Sequence, residues 1–184
     1  MGFFGFLRRG RSNTALDHWH ADWESAVTRL DDAAAAQLAA RLHAAPPLAE
    51  DVEVEEEMLQ ALQDVLVLAR ELARAALPVI ETAHRAAAGE RCHFSAPVSM
   101  PDDPAQPTGR LLLTAGRVVF AGGSRTPTVP WHAARDVIRR GRDLVVVRVG
   151  GEDGYRFRCN TFSDAVRAEA IARHLMGTAR RGGA

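Results

Sequence analysis

The sequence predicts an α+β protein: an antiparallel helical hairpin, then a half built of short antiparallel strands that one C-terminal helix closes. Three observations carry this. Glycine divides the chain, with none in residues 11–88 and ten in residues 89–177. The apolar period changes at the same place, from 3.6 before Gly89 to 2 after it. After Ser163 the helical period returns once, at Ala168, Ile171, Ala172 and Leu175. A chain of 184 residues suits one ordinary domain or two small ones, and a 47% hydrophobic share supports a packed core and excludes wholesale disorder.

The helical half, residues 14–88, is rich in the strong helix formers Ala, Leu, Glu, Gln and Arg. Leu16, Trp19, Trp23, Val27, Leu30, Ala34, Leu38 and Leu42 recur at three- and four-residue spacing. That predicts one helix whose buried stripe centres on the two tryptophans. Thr14 reads as its N-cap, with Asp17 where the helix dipole favours negative charge. Pro46-Pro47 ends it, since neither residue can donate into a continuing helix. Leu48, Val52, Met58, Leu59, Leu62, Val65, Leu66, Ala69, Leu72 and Ala76 predict a second helix with a wider stripe, and Pro78 predicts a kink or a break in it. The acidic run at residues 50–57 reads as a solvated cap on that helix. Joined by a short turn, the two helices lie antiparallel. Their remaining apolar surface needs the second half of the chain or another subunit.

Beyond Gly89, Cys92, Phe94, Ala96, Val98 and Met100 share one parity and read as core, while His93, Ser95 and Ser99 take the other. Leu111-Leu112-Leu113, then Thr114-Ala115-Gly116, then Val118-Val119-Phe120 read as a hairpin. Gly122-Gly123-Ser124 turns the chain, and Val129-Pro130-Trp131 is a short strand or an edge. Residues 144–149, the glycine-rich turn at 150–154 and residues 155–160 make a second hairpin. Ser163 caps the closing helix, and residues 177–184 read as a flexible tail.

The centre of this order, Thr108-Gly109-Arg110-Leu111-Leu112-Leu113-Thr114-Ala115-Gly116-Arg117-Val118-Val119-Phe120, resembles the PH-like superfamily, and within it the GRAM branch. Gly109, Leu111, Leu113, Thr114, Arg117, Val118 and Phe120 stand where that pattern has its fixed positions. The resemblance covers residues 90–176 and implies an antiparallel β-barrel closed by the C-terminal helix. It also implies a binding module for phospholipid headgroups, membranes or protein segments, without catalysis. Phosphoinositide-binding members place Lys and Arg around the first hairpin loop. Here that loop, residues 100–107, is acidic and proline-rich with no basic residue. Residues 1–89 resemble no family.

Charge separates the halves as sharply as glycine does. The chain has no Lys, and its 23 Arg balance 23 acids. Residues 1–100 hold 9 Arg against 15 acids, and residues 101–184 hold 14 Arg against 8. The 33 Ala and the absence of Lys suggest a GC-rich bacterial source. Two Cys cannot make a disulfide scaffold, and no apolar run approaches the ~20 residues that span a bilayer. The start of the chain lacks the order of a secretory signal, and Phe6 stands where myristoylation wants Ser or Thr. Cytoplasm is the expected compartment, with a peripheral position on the inner face of the cell membrane as the variant.

Candidate sites follow from side-chain chemistry. Arg139, Arg140 and Arg142 crowd one predicted turn and Arg125 sits in another; clustered guanidiniums suit bidentate contacts with an anionic headgroup, and a solvated turn is the plainer account. Arg148, Arg156 and Arg158 read as an outward stripe or as partners for the acidic helical half. Phe3, Phe4, Phe6 and Leu7, followed by Arg8, Arg9 and Arg11, combine apolar bulk with cations, as an interfacial membrane anchor of residues 1–13 requires. The alternative is packing on the protein itself. His18 and His20 are two apart and face different sides of a helix, so they cannot chelate together. Cys92 and Cys159 read as buried thiols.

No nucleophile elbow, phosphate loop, HExxH or paired CxxC is present, and the basic residues do not interleave with aromatics as on a nucleic-acid surface. The sequence therefore predicts a non-enzymatic adaptor without metal, cofactor or nucleic acid. Two functions remain. One is peripheral membrane or anionic-lipid binding through the PH-like unit. The other is a protein-interaction or assembly module, including a homo-oligomer, in which the helical hairpin makes the contact.

Overall fold

The computed structural model describes residues 14–44, 52–74, 77–82, 84, 87, 89–122, 127–150 and 154–182. The first apolar stripe is broken once, so the single helix expected there is two: α1 at Thr14–Arg29 and α2 at Asp32–Ala44. The break is a Schellman close. Leu30 N–H donates to Val27 O at 3.3 Å and Asp31 N–H to Ala26 O at 3.1 Å, with Leu30 in the left-handed region at φ 54°. Asp31 then caps α2, its carboxylate accepting from Ala34 N–H at 2.9 Å. Helix α3, Glu53–Arg74, ends before Pro78, and Ile80 makes an antiparallel bridge with Cys92. The helical half is thus three helices rather than a hairpin of two.

Trp19 and Trp23 lie at its centre, both buried. Each indole N–H finds a carbonyl, Leu38 O at 3.1 Å for Trp19 and Met58 O at 2.6 Å for Trp23. These bonds tie α1 to α2 and to α3 while keeping the buried donors satisfied.

Seven strands follow: β1 Cys92–Ser99, β2 Thr108–Thr114, β3 Arg117–Ala121, β4 Thr128–Pro130, β5 Ala134–Arg140, β6 Asp143–Arg148 and β7 Tyr155–Cys159. They form one antiparallel sheet in the order β4-β3-β2-β1-β7-β6-β5. It is not closed into a barrel, which corrects the architecture that the resemblance implies. Strand β4 has three residues and ends on Pro130, which has no N–H to give a ladder, and a short 3-10 turn at Trp131–Ala133 leads into β5. Groups along β5 are already taken. Arg180 donates to Arg135 O at 2.7 Å and Ala134 O at 3.4 Å, and Asp136 accepts from Val137 N–H at 2.7 Å.

One face of the sheet shares a core with the last helix, α4, Phe162–Gly182. Leu111 and Leu113 point into it. Leu112 points the other way and packs with Val119, Ala121, Ala87 and Cys92. Both faces of β2 are therefore covered, which is why three consecutive leucines fit there. Cys92 belongs to this outer cluster because the β1–β2 register slips between Cys92 and Phe94, which corrects the parity expected for it.

Helix α4 lies between the two halves. Ala168, Ile171, Ala172 and Leu175 face the sheet, and Val166 faces α1 and α3. Its cap is Thr161, whose hydroxyl accepts from Asp164 N–H at 3.0 Å. The expected cap, Ser163, instead donates to Asp64. The helix runs through Gly177 to Gly182, where a flexible tail was expected. One Gly in a helix costs only about 1 kcal/mol, and the Arg180 contacts anchor the last turns.

Candidate functional site

The arginine turn and the helices meet. Arg139 leaves β5 with its side chain 2% exposed. Its guanidinium binds Glu24 of α1 through two parallel hydrogen bonds, at 3.0 and 2.5 Å, and donates from Nε to Glu169 of α4 at 3.1 Å. It also lies 5.0 Å from the centroid of the Trp23 ring. Arg142, held beyond Gly141 at φ 58°, donates to Glu57 of α3 at 2.7 Å and stacks 4.7 Å over Phe162. The other oxygen of Glu57 accepts from Phe162 N–H at 2.7 Å, supporting the start of α4. Two of the expected anion-binding arginines thus serve as a joint between the halves. Arg140 is exposed.

The acidic run is less solvated than its position suggests. Glu55 is buried and meets His20 Nε2 at 2.7 Å, and Glu57 belongs to the joint. Arg156 and Arg158 also correct an expectation. They pair with the sheet's Asp143, and Arg156 also with Asp102 of the β1–β2 turn, rather than with the helical half. A cleft beside that turn, of about 630 Å³, has Asp102, Asp103, Tyr155 and Arg156 on its walls. Its one guanidinium is already bound to carboxylates. Phe3, Phe4, Phe6, Leu7, Arg8, Arg9, Arg11 and Arg125 lie outside the described residues.

A second surface was not read from the sequence. Where α1 ends, Val27 and Leu30 meet Val65 of α3 and Val166 and Ala170 of α4 around a groove of about 160 Å³. The Glu169–Arg173 pair, at 3.1 Å, forms its charged rim. Leu30 stays 43% exposed there while its backbone holds the conformation that normally belongs to glycine. The available signal was Leu30-Asp31-Asp32, an apolar residue before strong capping residues inside an otherwise helical stripe.

Both thiols are buried. Burial pushes Cys159 up to about 12, with the Asp164 and Asp143 charges adding to it, and burial raises Cys92 as well. Among the described residues no group of three or more His, Cys, Asp and Glu is placed to hold a metal ion. No helix among them is long and apolar enough to cross a membrane.

No protein-family model and no curated protein matches the sequence. Among solved structures, the chain is similar to the C-terminal domain of an unknown protein from Leishmania infantum, with TM-score 0.41 and 15% identity, over 48% of this chain and 87% of that one. It is also similar to the DH/PH domains of p115-RhoGEF, with TM-score 0.40 and 13% identity, over 66% of this chain and 43% of that one. An N-terminally truncated linker-DH/PH form of that protein gives TM-score 0.38 and 13% identity, over 67% and 43%. The chain spans less than half the length of these two DH/PH chains, and likeness at this level transfers no activity to it. The architecture at hand is a mixed one: three helices, an open seven-stranded antiparallel sheet, and a C-terminal helix packed against both.

Proposed function

We propose that the chain is a non-catalytic binding module in which helices α1–α3 and a PH-like β unit form one scaffold for a protein partner. The contact is the α1/α3/α4 groove, which receives an apolar side chain. Leu30 carries this reading. A non-glycine residue in the left-handed region costs about 1–2 kcal/mol, and a side chain left 43% exposed recovers only part of that within the chain itself. Strain held at an exposed apolar residue beside a groove is a sign of a contact surface.

The PH-like reading is supported by the strand order, by the helix lying over the sheet's inner face and by the Gly109–Phe120 pattern; the GRAM branch rests on that pattern alone. Anionic-lipid binding loses two of its arginines, Arg139 and Arg142, to carboxylates of the chain. Arg140, Arg125 and residues 3–9 are what would remain for it.

The test compares the full chain with Leu30→Asp, a residue that tolerates the left-handed backbone. Both are immobilised and exposed to extract of the native host, with flotation on anionic liposomes in parallel. The expected result is a protein retained by the wild type and lost with Leu30→Asp at unchanged fold. Wild-type flotation, with no retained protein that depends on Leu30, would overturn the proposal.

A further inference from the structure

We infer that the chain's own N-terminal segment, Phe3-Phe4-Gly5-Phe6-Leu7, covers the α1/α3/α4 groove in cis and leaves it when a partner enters. The inference rests on reading the groove as a contact surface and adds its regulation.

Reach is the first argument. Helix α1 leads from Thr14 toward the groove at Leu30, a rise of about 24 Å at 1.5 Å per residue. Phe6 precedes Thr14 by eight residues and Phe4 by ten, so an extended chain carries their rings about 26 to 36 Å. That distance suffices to run back along α1 and arrive at its far end.

Charge is the second argument. Residues 14–74 hold 13 acids against 4 Arg. Asp22 is exposed on α1, where it shares Arg41 at 2.5 Å. Arg8, Arg9 and Arg11 would pass along this acidic face while the apolar residues ahead of them reach the groove. Size is the third. About 160 Å³ admits one large side chain rather than a helix, and one ring would be a weak ligand in free solution. A short tether supplies an effective concentration on the order of millimolar, so a weak contact is populated in cis and remains displaceable by a partner with a larger footprint.

The test uses the full chain with a photo-cross-linking phenylalanine analogue at position 4. Mass spectrometry should map cross-links within one molecule to residues 27–30, 65 or 166–173. Their yield should fall several-fold in Leu30→Gly, which keeps the turn but removes the side chain, and should fall in 1 M salt, where screening acts within about 3 Å. Cross-links that are absent, that lie elsewhere, or that join two molecules would overturn the inference. So would capture of lipid, in place of the groove, when phosphatidylserine vesicles are present. Groove binding itself fails on a different result, namely partner retention that ignores Leu30→Asp, so the two failures are distinguishable.

Discussion

Arg139 on β5 and Glu24 on α1 stand 115 residues apart in the chain and share two parallel hydrogen bonds. The opposite charges of the two halves are used here: a basic residue of the sheet is neutralised by the acidic helices. Because Glu169 and the Trp23 ring complete the shell around the guanidinium, the joint spans α1, α4 and β5 at once.

Arg139→Ala is therefore expected to destabilise the whole chain by about 3–5 kcal/mol, the usual cost of removing one partner of a buried pair. Arg139→Met, which fills the space without a charge, should recover much of that. Glu24 is 42% exposed, so Glu24→Ala should cost less than Arg139→Ala. Urea unfolding followed by circular dichroism and by tryptophan emission checks this. Coincident transitions in the wild type are expected, because α4 packs on both halves.

Leu30→Gly should stabilise the protein by about 1 kcal/mol, since glycine enters the left-handed region without the Cβ clash. Leu30→Val should do the reverse, being branched at Cβ. Thermal unfolding midpoints give both signs.

Much of this fold was legible, and the gaps have physical reasons. Period and glycine placement located the helices, the hairpins and the buried tryptophans. The break at Leu30 was not legible because its apolar residue keeps the stripe in phase while Asp31 takes over the next helix's amides. The open sheet was missed because closure depends on what lies along β4 and β5, and the contacts of Arg180 with β5 connect residues about 45 apart. The arginine turn was visible as a cluster. Its partners Glu24, Glu57 and Glu169 come from three helices, and no local pattern joins them.

Gly109 stands where the chain admits no side chain. A Cβ there would lie 2.6 Å from Ala121 O and 2.8 Å from Gly122 Cα, both backbone atoms. Gly109→Ala should cost about 1–3 kcal/mol by overpacking and loosen the β2–β3 pairing. Hydrogen exchange at Leu111 and Val119 is the direct readout.

Cys159 should stay unreactive toward thiol reagents at pH 8 without denaturant, because burial pushes its thiol up to about 12. The unfolded thiol ionises near 9.0, so its contribution to stability is full below that pH and is lost as pH rises toward 12. Between pH 9 and 10 the loss is about 1.4 kcal/mol. Cys159→Val should remove this slope, as denaturation at several pH values would show.

The central claim is that Arg139 and Arg142 join the halves instead of serving an anionic ligand. Flotation of the full chain and of Arg139→Met with Arg142→Met on phosphatidylserine vesicles tests it most directly, alongside circular dichroism. Equal flotation of the two proteins, with a lower unfolding midpoint in the variant, is the predicted result. Wild-type flotation that disappears in a variant of unchanged stability would contradict it.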